Sequence, residues 1–147
     1  MSDIETVRNH LAEETGLATV STTQADGRVL SSVVNCGIVE HPIKGETCVA
    51  FVSSGKAARL KHIDRGSQVT ISIRRGWTWS SVTGHADLIR FENLPENMDT
   101  EKMRLLLREV FHAAGGQHDD LEEYDRAMAE EKRVVVCVTP DRILGNP

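Results

Sequence analysis

Aromatic residues are scarce in this chain. Three Phe, one Tyr and two Trp among 147 residues leave a core that has to be aliphatic. Cysteine is nearly as rare: Cys36, Cys48 and Cys137 each sit inside an apolar run, and an odd count without CxxC spacing excludes a disulfide framework. Such thiols read as buried and free in a reducing compartment, which points to the cytoplasm. Positive charge is in deficit, with a net charge of -5 and a pI of about 5.7, so neither nucleic acid nor an anionic membrane surface is an expected partner. No stretch approaches the length of a membrane span, and residues 1–14 are too charged for a signal peptide. Linkers, internal repeats and low-complexity segments are also missing, so a single domain over residues 1–147 is expected.

The usual marks of covalent and metal catalysis are missing as well. There is no Gly-x-Ser-x-Gly elbow, and no cysteine has a neighbour that would activate it. The six histidines are scattered; the one tight group, His118-Asp119-Asp120, reads as a helix cap rather than a metal site. The acidic run Glu122, Glu123, Asp125, Glu130 and Glu131 reads as solvated helix surface. Neither a catalytic side chain nor a metal site is therefore assigned.

What is present is strand pattern. Runs 17–23 and 29–39 flank Ala25-Asp26-Gly27, a hairpin signal, and a second turn at Lys44-Gly45-Glu46 leads into a strand over 48–53. Val69, Ile71 and Ile73 alternate with polar residues before Arg75-Gly76 turns the chain back into a strand over 77–90. Val134 to Val138 reads as a strand buried on both faces, ended by Pro140. Helical spacing marks an opening helix capped by Ser2 with Glu5, a short helix from Gly55 to about Arg65, and two late amphipathic helices around Met103–Phe111 and Leu121–Met128. Six strands joined mainly by hairpins predict an α+β fold, a mainly antiparallel six-stranded barrel with peripheral helices. A doubly buried last strand in so β-rich a chain is consistent with a homodimer.

Three segments look built to bind. Ser53, Ser54, Gly55, Lys56 and Arg59 place small polar residues and two cations at the predicted start of a helix, which suits phosphate, although the second Gly and the Lys-Ser/Thr pair of a P-loop are missing. An ordinary serine cap with solvated cations is the alternative. Ser32, Val33 and Asn35 lie on a long polar strand that could hydrogen-bond a flat heterocycle, and Arg74, Arg75, Trp77 and Trp79 form a turn that could wall it. The alternative is that Ser31 and Ser32 face outward on the strand and that the Trp residues belong to the core or to a dimer interface. Brought together, the three segments suit a flavin-like cofactor.

The order Leu17-Ala18-Thr19-Val20-Ser21-Thr22, Asp26-Gly27-Arg28, Val33-Val34-Asn35, Lys56 with Arg59-Leu60, Arg75-Gly76-Trp77 and Leu144-Gly145-Asn146-Pro147 resembles the split β-barrel flavin/deazaflavin oxidoreductases. This is the pyridoxamine 5'-phosphate oxidase-like superfamily with the FMN-binding split-barrel fold, and the chain is most similar to its actinobacterial branch that uses coenzyme F420. The resemblance implies a homodimer with two cofactor grooves at the interface. It implies that Lys56 and Arg59 meet the cofactor phosphate with Ser53 and Ser54 nearby, that the ring lies against Val33 and Asn35, and that Lys61, Arg74 and Arg75 reach an acidic tail. Members that bind FMN or haem share the barrel. The Arg-x-His motif of pyridoxamine phosphate oxidase itself is replaced by Asp141-Arg142-Ile143, which argues against vitamin B6 as substrate. The implied activity is hydride transfer from reduced F420 to an activated C=C or C=N bond of a small molecule. An FMN oxidoreductase and a non-catalytic F420 carrier are the alternatives.

Overall fold

The computed structural model describes residues 3–146. Strands β1 (Leu17–Thr23), β2 (Val29–Glu40), β3 (Thr47–Ser53), β4 (Val69–Arg75), β5 (Thr78–Ile89) and β6 (Val134–Gly145) close a barrel in the order β1-β2-β3-β6-β5-β4, with every pairing antiparallel. The period-two pattern decides which residues fill it. Val20, Val49, Phe51, Val69, Ile71, Val82, Val136 and Val138 are buried together inside, an aliphatic core with one Phe. Helix α1 (Ile4–Glu13) lends Val7 and Leu11 to that interior, and α2 (Ala58–Asp64) lends Leu60 and Ile63.

A second apolar layer lies outside the barrel. Alternate residues of β3 and β6, Cys48, Ala50, Val135 and Cys137, pack against Met103, Leu106, Leu107 and Val110 of α3 (Thr100–Ala113). Residues Val134 to Val138 are buried on both faces for this reason, the barrel core on one side and α3 on the other. Helix α4 (Leu121–Glu130) packs on α3 through Tyr124, whose hydroxyl donates to the Leu107 carbonyl at 3.0 Å.

Three sequence expectations need correction. Ser2 lies outside the described residues, and α1 is capped by Asp3, whose side chain accepts from the Thr6 amide. Pro140 does not end the last strand; the β5–β6 register shifts between Thr83 and Gly84, and the ladder resumes to Gly145. A bulge is where a sheet tolerates a residue with no N–H. The short helix begins at Ala58 rather than Gly55, with Ala57 as its N-cap. The preceding residues form a serine turn in which the Lys56 amide donates to Ser54 Oγ at 3.3 Å, a local bond that competes with helix.

Gly37, in the middle of β2, sets how closely α3 can dock. A Cβ there would overlap the Ala113 backbone and side chain at the end of α3. Gly37→Ala is therefore expected to cost about 2 kcal/mol or more, because the clash is with backbone that no rotamer change relieves. Urea unfolding of the variant checks this, and an unchanged midpoint would contradict the docking.

Candidate functional site

The barrel is closed at one end and split at the other. Strand β2 pairs with β3 only from Cys36 to Glu40, opposite Phe51 to Thr47. From Val29 to Asn35 it keeps β1 on one side and has no strand on the other, while β3 continues to Ser53 paired with β6 alone. This seam exposes the unpaired edge of β2, a row of backbone donors and acceptors open to hydrogen bonding.

Arg59, on α2, spans the seam. One guanidinium nitrogen donates to Ser53 Oγ of β3 at 2.8 Å and the other to Ser32 Oγ of β2 at 2.7 Å, and the group lies 5.6 Å from the Phe51 ring centroid. No ion pair among the described residues involves Arg59, although it is half-buried. Burial lowers its pKa from the ordinary arginine value, the signature of a cation held without a carboxylate. A buried cation is costly unless paired, so the seam is electrostatically suited to an anion.

A cleft of about 560 Å³ opens beside Arg59. Val33, Asn35, Val52 and Ser54 form its barrel wall. Its opposite wall is Phe111 and Gly116 at the end of α3 with Tyr124 and Met128 of α4, and Arg133 closes one side. Phe111 and Tyr124 stack with ring centroids 4.6 Å apart. The cleft is apolar, with cations at two points and no carboxylate in its lining. Arg133 is held by Glu131 at 2.8 Å, which leaves Arg59 as its unpaired charge.

The structure thus brings Ser32, Val33, Asn35, Ser53, Ser54 and Arg59 together at the seam. Asn35 is partly committed, its amide donating to the Thr15 carbonyl at 3.0 Å. Gly55 and Lys56 face a neighbouring cleft of about 700 Å³ that shares Ser54 with the first and is lined by Arg90, Lys132, Glu92 and Glu130. Lys56 and Arg59 therefore stand on opposite sides of the Ser54-Gly55 turn. The exposed Lys61 lines neither cleft, and neither do Arg74, Arg75, Trp77 and Trp79. Arg75 pairs with Glu13 of α1 at 3.6 Å, Arg74 donates to the Gly76 carbonyl, and Trp77 is 93 % exposed at the tip of the β4–β5 turn. Trp77 and Trp79 therefore do not wall this cleft, and the aromatic residues that line it are Phe111 and Tyr124.

The sequence marks Phe111, Tyr124 and Met128 only as residues of amphipathic helices, and nothing in it assigns them or Arg133 to the site. Their placement depends on α3 and α4 folding back over the outer face of β2 and β3, a long-range event with one local trace: a glycine inside a strand, Gly37, marks close approach of another backbone. His118 and Asp120 act as a cap, with Asp120 accepting from the Glu123 amide and His118 Nδ1 accepting from the Asp120 amide. Among the described residues no cluster of three or more His, Cys, Asp or Glu could hold a metal. The cysteines are buried and unbridged, and burial pushes the Cys36 thiol up to about 12, away from nucleophilic use.

No protein-family model matches the chain, and no curated protein matches it. Solved structures do. Conserved hypothetical protein Rv2991 from Mycobacterium tuberculosis aligns at a TM-score of 0.68 and 16% identity over 99% of this chain and 84% of that one. A protein from Clostridium acetobutylicum related to general stress protein 26 of B. subtilis, of the pyridoxinephosphate oxidase family, aligns at 0.62 and 10% identity over 99% and 90%. An F420 reductase aligns at 0.57 and 16% identity over 88% and 90%. The chain has the split β-barrel fold of the pyridoxamine 5'-phosphate oxidase-like proteins. No described helix is long and apolar enough to cross a membrane.

The far wall of the cleft depends on one carboxylate. Asp125 of α4 accepts from Arg108 Nε at 2.8 Å and from Arg104 Nη1 at 2.9 Å, both on α3. Hydrogen bonds from Arg108 first, and then Arg104, hold its carboxyl below the ordinary aspartate value. A depressed folded value means the contact is fully stabilising above the unfolded pKa of about 4 and is lost as pH falls through the lower folded value. Acid unfolding should therefore begin below about pH 4 with release of α4. Asp125→Asn should lower Tm by about 4 °C at neutral pH and flatten this acid limb, as followed by thermal scans at stepped pH. Identical acid limbs in the two proteins would contradict the assignment.

Proposed function

We propose that the protein is an F420-dependent oxidoreductase that receives the phosphate of the cofactor at Arg59 and its tricyclic ring in the cleft between β2–β3 and α3–α4. The observation that carries this reading is the half-buried Arg59 guanidinium, without a carboxylate, at the mouth of an apolar cleft. Its fit to such a group is chemical. Arg59 and Ser54 offer donors for a phosphate, Val33, Val52 and Met128 offer apolar surface for a flat ring, and the unpaired β2 edge offers backbone groups to the ring's polar rim.

When bound, reduced F420 supplies the hydride for an activated C=C or C=N bond of a small molecule. The chain's own residues bind and orient. Arg59 would hold the anionic arm, the β2 edge would offer hydrogen bonds to the ring, and the Phe111–Tyr124 stack would shield the cleft from water. Tyr124 gives no proton here, because its hydroxyl is committed to Leu107 and burial pushes its pKa up to about 12. The lining offers no side-chain acid or base, which suits chemistry carried by the cofactor and equally suits a carrier without turnover. We further propose a homodimer through the uncovered outer faces of β1 and β2, where Leu17, Val29 and Val33 are 49%, 64% and 65% exposed. FMN is the second cofactor reading, because the same phosphate site and apolar cleft accept it.

Titration with F420 and with FMN separates these readings. F420 should bind the tighter, and Arg59→Ala should weaken it about thirtyfold, the loss of one charge-assisted phosphate contact, whereas Lys56→Ala, in the neighbouring cleft, should change it by less than about threefold. Tight FMN binding with none of F420 would transfer the reading to FMN, and unchanged affinity in Arg59→Ala would remove the phosphate from this site. Turnover of reduced F420 with a panel of unsaturated acceptors distinguishes a reductase from a carrier.

A further inference from the structure

We propose that Ser32 is a positioning residue that acts on the anion site through Arg59: its hydroxyl, on the far side of the seam, aims the guanidinium into the cleft. The inference rests on the anion-site reading above and gives Ser32 a role different from contact with the ring.

Three observations carry it. Ser32 stands on the stretch of β2 that has no β3 partner, so no backbone ladder fixes its distance from Ser53. Arg59 supplies that missing tie, with 2.7 Å and 2.8 Å bonds to the two hydroxyls. Arg59 also lines the cleft, and of the five N–H groups its fork carries, the two used on serines leave three. An arginine on a seven-residue helix would otherwise sample many rotamers, since its long side chain loses much entropy on fixation. Fixing it in advance removes that cost from ligand binding, which is how preorganisation raises affinity without a new contact. Ser53 alone cannot do this, because a single bond leaves the fork able to swing about it. Ser32 turns one attachment into two and sets the plane of the fork. That plane matters, because two-pronged recognition of a phosphate depends on the geometry of both N–H groups.

The test uses the full chain and three probes, F420, FMN and inorganic pyrophosphate, with Ser32→Ala, Ser32→Thr, Arg59→Ala and the Ser32→Ala/Arg59→Ala pair. Circular dichroism confirms folding of each. Ser32→Ala should weaken binding of whichever probes bind by about fivefold to tenfold, and Ser32→Thr, which keeps the hydroxyl, should restore it to within about twofold. In the Arg59→Ala background Ser32→Ala should change affinity by less than about twofold, because a residue that acts through Arg59 has nothing left to act on. Unchanged affinity in Ser32→Ala, or an equal loss with and without Arg59, would overturn the proposal while leaving the anion site standing. Absence of binding by all three probes at millimolar concentration would overturn the anion-site reading and this inference with it. A ligand-free arm keeps the two failures apart: arginine side-chain NMR should show hindered rotation of the Arg59 guanidinium in the wild type and faster rotation in Ser32→Ala. Equal rotation in both would overturn the positioning role whatever the probes do.

Discussion

The guanidinium of Arg59 lying across the seam between β2 and β3 is the interaction on which the candidate site depends. A barrel that paired all its strands to their ends would have no edge to offer and no reason to bury a cation there. Because β2 runs on past Cys36 without β3, and β3 ends at Ser53 with β6 alone, the two strands part around a gap. A single side chain from α2 fills it. The cost of holding that charge half-buried with only neutral hydroxyls for partners is the physical argument for an anionic ligand.

Two layers of packing make the seam possible. The barrel interior, built from alternating Val and Ile with Phe51, holds β3 and β6 rigid on one side of the gap. The outer layer, in which α3 lies on β3 and β6 and stops against Gly37, places Phe111 and Gly116 over the gap and lets α4 add Tyr124 and Met128. The cleft is thus a by-product of docking a helical hairpin onto a split barrel. Its apolar character follows from the same residues that hold the hairpin in place, and its charge comes from Arg59 and Arg133 at its margins.

Much of the fold was legible because its signals are local. Asp26-Gly27 and Arg75-Gly76 announce hairpins, and the structure gives Gly27 and Gly76 positive φ values of 89° and 62° at those turns. The alternation of Val69, Ile71 and Ile73 put them inside, and the unbroken run Val134 to Val138 was right to suggest burial on both faces. The candidate site was legible only in part. The sequence marks Ser53, Ser54 and Arg59 as an anion seat through a helix pattern that begins at Gly55, yet α2 starts at Ala58 and it is side chains rather than helix amides that gather there. Lys56 is near Arg59 in sequence, but a serine turn sends the two to different clefts. Arg74 to Trp79 looked like part of the same groove, but the β4–β5 hairpin carries them away from it. The aromatic wall came instead from α3 and α4, whose register on the barrel is fixed by contacts far apart in sequence.

In the proposed complex the phosphorylated arm of a tricyclic redox cofactor is held at the seam. A crystal structure of the protein grown with F420 tests it most directly. The phosphate should lie within hydrogen-bonding distance of the Arg59 guanidinium and the ring between Val33 and the Phe111–Tyr124 stack. Cofactor density elsewhere, with Arg59 still bonded to its two serines and facing only solvent, would contradict it.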